Sequence, residues 1–117
     1  MKNILNISLF FVIIGCTFIS SVDEIIIETP TTQCGMCKKT IESNLMTIKG
    51  VKSANVDISN YQTIIKYKPD KVDLKDLELA ISKSGYQANN IKADSMVYKK
   101  LPYCCLLPHD RKMKKLY

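Results

Sequence analysis

The chain has 117 residues, of which 46% are apolar and 8% aromatic, and a formal charge of +6 from seventeen Lys/Arg against eleven Asp/Glu. That length allows one small domain without room for a large catalytic cleft, and that composition excludes a wholly disordered chain. The charge is uneven: residues 92–117 hold seven basic side chains (Lys92, Lys99, Lys100, Arg111, Lys112, Lys114, Lys115) against Asp94 and Asp110, so the remainder is nearly neutral and a nucleic-acid partner is disfavoured.

Met1-Lys2-Asn3 followed by the apolar run Ile4 to Ile14 has the charged start and short greasy core of an export signal, predicted to occupy residues 1–21. Ile13-Ile14-Gly15-Cys16 resembles a bacterial lipobox, which would make Cys16 a lipidated N-terminus; the alternative is cleavage near Ser20-Ser21. An uncleaved anchor is weakened by Asn6, Ser8, Ser20 and Ser21. The expectation is an exported protein, periplasmic or lipid-anchored to a membrane facing the periplasm.

The domain is expected over residues 22–92. Glu24 to Thr29 is β-branched, bounded by Pro30, and reads as a strand. Cys37, Ile41, Leu45 and Ile48 recur at helical spacing through Cys37 to Thr47, with Gly50 as a stop. Val51 to Asp57, the Ser59-Asn60 turn and Gln62 to Tyr67 form a hairpin. A second amphipathic helix runs from about Asp73 to Ser84, with Leu74, Leu77 and Ile81 on one face and Gly85 beyond it. A brief strand from Ala88 to Lys92 would close the sheet. The order is α+β, a ferredoxin-like βαββαβ arrangement with two helices on one face of a four-stranded antiparallel sheet. Asp94 is placed to cap a short helix in a C-terminal extension, residues 93–117, before Leu101-Pro102.

The chemistry-bearing motif is Cys34-Gly35-Met36-Cys37, where the first strand gives way to the first helix. A helix N-terminus favours anions, and thiolate is both metal ligand and nucleophile; Lys38 and Lys39 push in the same direction. Redox motifs, zinc knuckles and disulfides share this spacing, so the surrounding register must decide.

That register resembles the heavy-metal-associated domain family of copper chaperones, metal-binding modules of copper-exporting ATPases, and periplasmic mercury-binding proteins. Cys34 and Cys37, then Ile41, Leu45, Ile48, Gly50-Val51, Ala54, Val56, Tyr67 and Gly85-Tyr86, fall where that family places its motif, core and turn residues. The resemblance implies that Cys34 and Cys37 bind a soft metal, Cu(I) first, with Hg(II) or Zn(II) as alternatives. Two thiolates leave the site open for hand-off to a metal-transporting membrane protein or another thiol-bearing carrier, from a protein expected to be monomeric when metal-free. Where the family often has Met two positions before the first cysteine, this chain has Thr32. Tyr86 and Met36 are candidates to flank the metal, and Met36 offers a thioether.

Cys104 and Cys105 in the extension would either fold back as accessory metal ligands or form a disulfide, with Cys34 or Cys37 as the favoured partner of one of them. His109 is a distant ligand candidate. A thiol–disulfide oxidoreductase is the rival from another class, but Pro69 and Pro102 do not supply the proline loop that a thioredoxin-like site would set against its cysteines. An enzyme is not expected: no histidine in the predicted domain supplies a base for Cys-His catalysis.

Overall fold

The computed structural model describes residues 21–115. The export signal, the Ile13-Ile14-Gly15-Cys16 motif and Cys16 itself lie outside the described residues. The described elements are β1 (Asp23–Glu28), α1 (Gly35–Met46), β2 (Val51–Asp57), β3 (Gln62–Tyr67), α2 (Leu74–Lys83), α3 (Ser95–Lys99), a 3-10 turn at Tyr103–Cys105, and α4 (Pro108–Lys114). None of the described helices is long and apolar enough to cross a membrane.

The sheet is antiparallel with strand order β1-β3-β2. Period-two alternation puts Ile27, Thr63 and Val56 in one cross-strand row and Ile25, Ile65 and Ala54 in the next, both on the inner face. The helical stripe Cys37, Ile41 and Leu45 is fully buried, as are Leu77 and Ile81 from α2. These two helices cover the inner face of the sheet. Leu74, expected on the same stripe, stays exposed in the first turn of α2. Asp73 caps that helix by accepting from the Asp76 N–H at 2.9 Å.

The fourth strand predicted at Ala88–Lys92 is absent from the described sheet, which has three strands. Ala88 and Ile91 instead exchange backbone hydrogen bonds of 2.9 and 2.8 Å across Asn89-Asn90. Asn89 has φ +49°, a left-handed conformation that Asn tolerates better than most residues and that reverses the chain. It hydrogen-bonds the last residue of β1: the Glu28 N–H donates to Asn89 Oδ1 at 2.9 Å, and the Glu28 carbonyl accepts from the Asn89 N–H at 2.8 Å.

The chain then returns beside α2. Ser82 donates to the Lys92 carbonyl at 2.7 Å and accepts, through its own carbonyl, from the Asp94 N–H at 2.9 Å. Asp94 caps α3 by accepting from the Met96 and Val97 N–H groups at 2.9 and 3.2 Å. This route carries the turn at Tyr103–Cys105 back to the start of α1.

Candidate metal centre

The loop before α1 is fixed by threonines. Thr29 and Thr63 hydroxyls meet at 3.1 Å in a buried pair, and Thr31 Oγ1 accepts from the Gln87 N–H at 3.0 Å. Cys34 then takes the N-cap position with extended backbone, so that Cys37 enters the first turn of a twelve-residue helix and points inward. Cys37 is fully buried and Cys34 half-buried, with their sulfurs 3.3 Å apart. Lys38, expected to favour thiolates, is turned to β2: its Nζ donates to Asn55 Oδ1 at 3.1 Å and to the Val56 carbonyl at 3.0 Å.

The C-terminal arm brings the other thiols to this pair. Cys104 Sγ lies 2.9 Å from Cys34 Sγ, and Cys105 Sγ lies 3.6 Å from it; Cys104 and Cys105 are 3.9 Å apart. Cys34, Cys104 and Cys105 therefore form one sulfur cluster, with all pairwise separations within 4.8 Å. All four cysteines of the described chain are free thiols. Met36 is 55% exposed, yet its sulfur accepts from Cys104 at 3.7 Å, so it sits at the rim of the cluster. His109 points elsewhere, with its Nε2 3.1 Å from Asp110 Oδ1.

The arm has its own core contacts. Leu101, Cys105 and Leu106 are buried in the main hydrophobic cluster, and the Leu101 side chain lies over Gly85. Arg111 spans the Cys-Cys turn, donating through Nε to the Leu106 carbonyl and through a terminal nitrogen to the Cys104 carbonyl, both at 2.8 Å. Its guanidinium also stands 5.9 Å from the centre of the Tyr103 ring. Tyr98 accepts from the Leu107 N–H at 2.9 Å and donates to Asp110 at 2.6 Å. Nothing in the sequence distinguishes Arg111 from the surrounding basic run, because its role comes from a fold-level juxtaposition.

The thiols differ in acidity. Burial pushes Cys34 up, but hydrogen bonding to Cys104, the nearby Cys37 N–H and the Cys37 and Cys105 thiols outweighs it, bringing Cys34 down from 9.0 to about 6. The Cys37 N–H approach is too loose to make a capping bond. Cys104 moves up, chiefly through its hydrogen bond to Cys34, and Cys105 moves up because it is buried. The Cys34–Cys104 bond is aligned with Cys34 as donor when both are protonated; once Cys34 ionises, the shared proton resides on Cys104.

Two buried hydroxyls near the site lack a hydrogen-bond partner, Thr32 Oγ1 and Tyr86 Oη. Thr32 is fully enclosed at the position where the sequence departs from the family's usual methionine. Tyr86 is also fully enclosed. Burial raises its phenol pKa, and the neighbouring Cys105 and Cys37 thiols add to that, although neither forms a hydrogen bond with Oη.

A ferredoxin-like sheet with two covering helices and a thiol cluster at the first helix start defines a small soft-metal-binding domain. Residues 27–87 match the heavy-metal-associated domain, and the chain belongs to that family. The copper chaperone CopZ of Staphylococcus aureus is 38% identical over 61 residues, spanning 52% of this chain and 90% of that protein. A solved CopZ metallochaperone superposes with TM-score 0.56 at 35% identity, covering 56% of this chain and 98% of its own. The water-soluble region of the P-type ATPase CopA from Bacillus subtilis superposes with TM-score 0.56 at 28% identity, over 59% of this chain and 46% of that one. The protein is thus a heavy-metal-binding, copper-chaperone-like member of the family.

Proposed function

We propose that the protein captures a soft metal ion, Cu(I) before Hg(II) or Zn(II), on Cys34 and Cys37 and relays it by thiolate exchange. The supporting observation is the placement of two thiols 3.3 Å apart at the start of α1, one accessible and one anchored in the core. Cys34, with a pKa of about 6, is a thiolate at neutral pH and makes the first bond to the ion. Cys37 joins as the second ligand and releases its proton. A partner thiolate then bonds to the metal as Cys34 or Cys37 leaves and takes up a proton. No electrons are exchanged, so the chemistry is binding and hand-off, without a catalytic residue.

The recipient is a thiol-bearing site on a metal-transporting membrane protein or a second carrier, a reading supported by the likeness to a soluble region of a P-type ATPase. The domain is assigned to residues 22–92 and the ligand-bearing arm to 93–117. Export, with or without a lipid on Cys16, rests on the charged start and apolar run of residues 1–14.

The test is an anaerobic competition titration of the reduced protein with Cu(I) against a coloured chelator, beside the Cys34→Ser/Cys37→Ser variant. A one-to-one endpoint abolished in the variant is expected; full affinity in the variant overturns the proposal. Repeating the titration with Hg(II) and Zn(II) ranks the metals.

A further inference from the structure

A metal relay with two ligands does not require Cys104, Cys105 or the apparatus that holds them. Yet Arg111 fixes the carbonyls on both sides of Cys105, Tyr98 ties the turn to α4, and Leu101 and Leu106 bury the arm in the domain core. A frayed basic tail has no reason to carry such contacts.

The sulfur spacings suit a coordination number above two. With metal–sulfur bonds of about 2.3 Å, sulfurs around one ion stand about 3.8–4.0 Å apart in tetrahedral or trigonal sets and about 4.6 Å apart across a linear pair. Cys34–Cys105 at 3.6 Å and Cys104–Cys105 at 3.9 Å approach the first values. Cys34–Cys37 at 3.3 Å and Cys34–Cys104 at 2.9 Å are shorter and would have to open on binding, and Cys37 stands outside the set of three mutually close sulfurs. Cys34 is the hub of the cluster, within hydrogen-bonding distance of the other three thiols.

We propose that the C-terminal arm supplies Cys104 and Cys105 to the ion held by Cys34 and Cys37, making a site of three or more sulfurs that the recipient opens by displacing Cys104. This rests on the proposed function and adds a device for retention to it. Binding forms a metal–sulfur bond at each ionised thiol and releases its proton to solvent. In transfer, an entering thiolate forms a metal–sulfur bond as the Cys104–metal bond breaks, and the Cys104 thiolate takes the proton lost by the entering thiol. Cys104 is the sulfur to leave because it is the accessible member of the arm's pair, whereas Cys105 is buried.

The experiment uses the full chain loaded with one equivalent of Cu(I) under reductant. X-ray absorption at the copper edge counts the sulfurs, and stopped-flow transfer to bicinchoninate gives the release rate. The wild type is expected to show three or more sulfurs. Cys104→Ser/Cys105→Ser is expected to show two and to release copper at least about tenfold faster, since a tethered ligand acts at high effective concentration. Cys104→Ser alone leaves the buried Cys105 in place and is also expected to speed release, so a failure of the double variant to fold does not remove the test. Two sulfurs in the wild type, or unchanged release in Cys104→Ser, overturns the arm as a ligand. If binding is nevertheless lost in Cys34→Ser/Cys37→Ser, the relay reading stands without the arm; if that variant binds normally, the relay reading falls as well.

Discussion

Replacing Tyr86 by Phe should stabilise the metal-free protein. The ring is fully enclosed, and its hydroxyl has no hydrogen-bond partner. Phe keeps the ring and deletes one oxygen, so packing is nearly conserved while an unpaired polar group is removed from the interior. A buried donor or acceptor left unsatisfied costs about 1–3 kcal/mol. The neighbouring Cys37 and Cys105 sulfurs are weak acceptors and offset part of this cost, leaving a net gain of about 1 kcal/mol on substitution. With a urea m-value of about 1–2 kcal/mol/M for a domain of this size, the unfolding midpoint should rise by about 0.5–1 M. The assay is urea denaturation of the reduced proteins followed by far-ultraviolet circular dichroism, with chelator present. A loss of about 1 kcal/mol or more with unchanged m would refute the reasoning, because it would show that the hydroxyl is satisfied by the thiols it touches.

Gly85→Ala should destabilise the protein by about 2–3 kcal/mol, combining a left-handed backbone with displacement of the covering leucine. Gly85 has φ +99°, and an added methyl would sit 3.1 Å from both Leu101 methyl groups. Hydrogen exchange should show residues 95–115 loosening first, whereas wild-type protection across the arm would contradict the packing described. For Cys34, alkylation with iodoacetamide, mapped by mass spectrometry, should be half-maximal near pH 6, while Cys104 reacts only at higher pH. Because the folded pKa of Cys34 is depressed from 9.0 to about 6, its thiolate contributes stability that is full above the ordinary value and lost as pH falls through about 6. Half-maximal modification of Cys34 and Cys104 at one common pH would contradict the division of protons between them.

The helical stripe Cys37, Ile41 and Leu45 was legible because burial follows local periodicity, and the same holds for Leu77 and Ile81 in α2. Asp94 is readable as a cap for a similar reason: it bonds to backbone within three residues of itself. The segment after Gly85 departs from the predicted strand. Ala88 and Ile91 invite a strand, but Asn89-Asn90 between them reverses the chain, and that turn replaces the predicted fourth strand. The Cys104–Cys105 pair was visible as chemistry, but its distance from Cys34 was not, because the two are 70 residues apart and joined by a route that depends on that turn. Neither the clasp made by Arg111 nor the orphaned hydroxyls of Thr32 and Tyr86 leave a pattern in one sequence, since both are products of tertiary packing.

The Asn89 reversal also bears on solubility. Without a fourth strand, the outer edge of β1 has no strand partner among the described residues, and Ile26 there is 52% exposed. Such an edge is a template for pairing between molecules. An antiparallel copy centred on Ile26 would set Glu24 against Glu28, like charges facing one another across the seam. Asn89 already occupies both backbone groups of Glu28, so the same copy would also have to displace two hydrogen bonds. The exposed strand is thus guarded by two carboxylates and one asparagine, and replacing both glutamates by glutamine would leave the asparagine as the remaining barrier to edge-to-edge association.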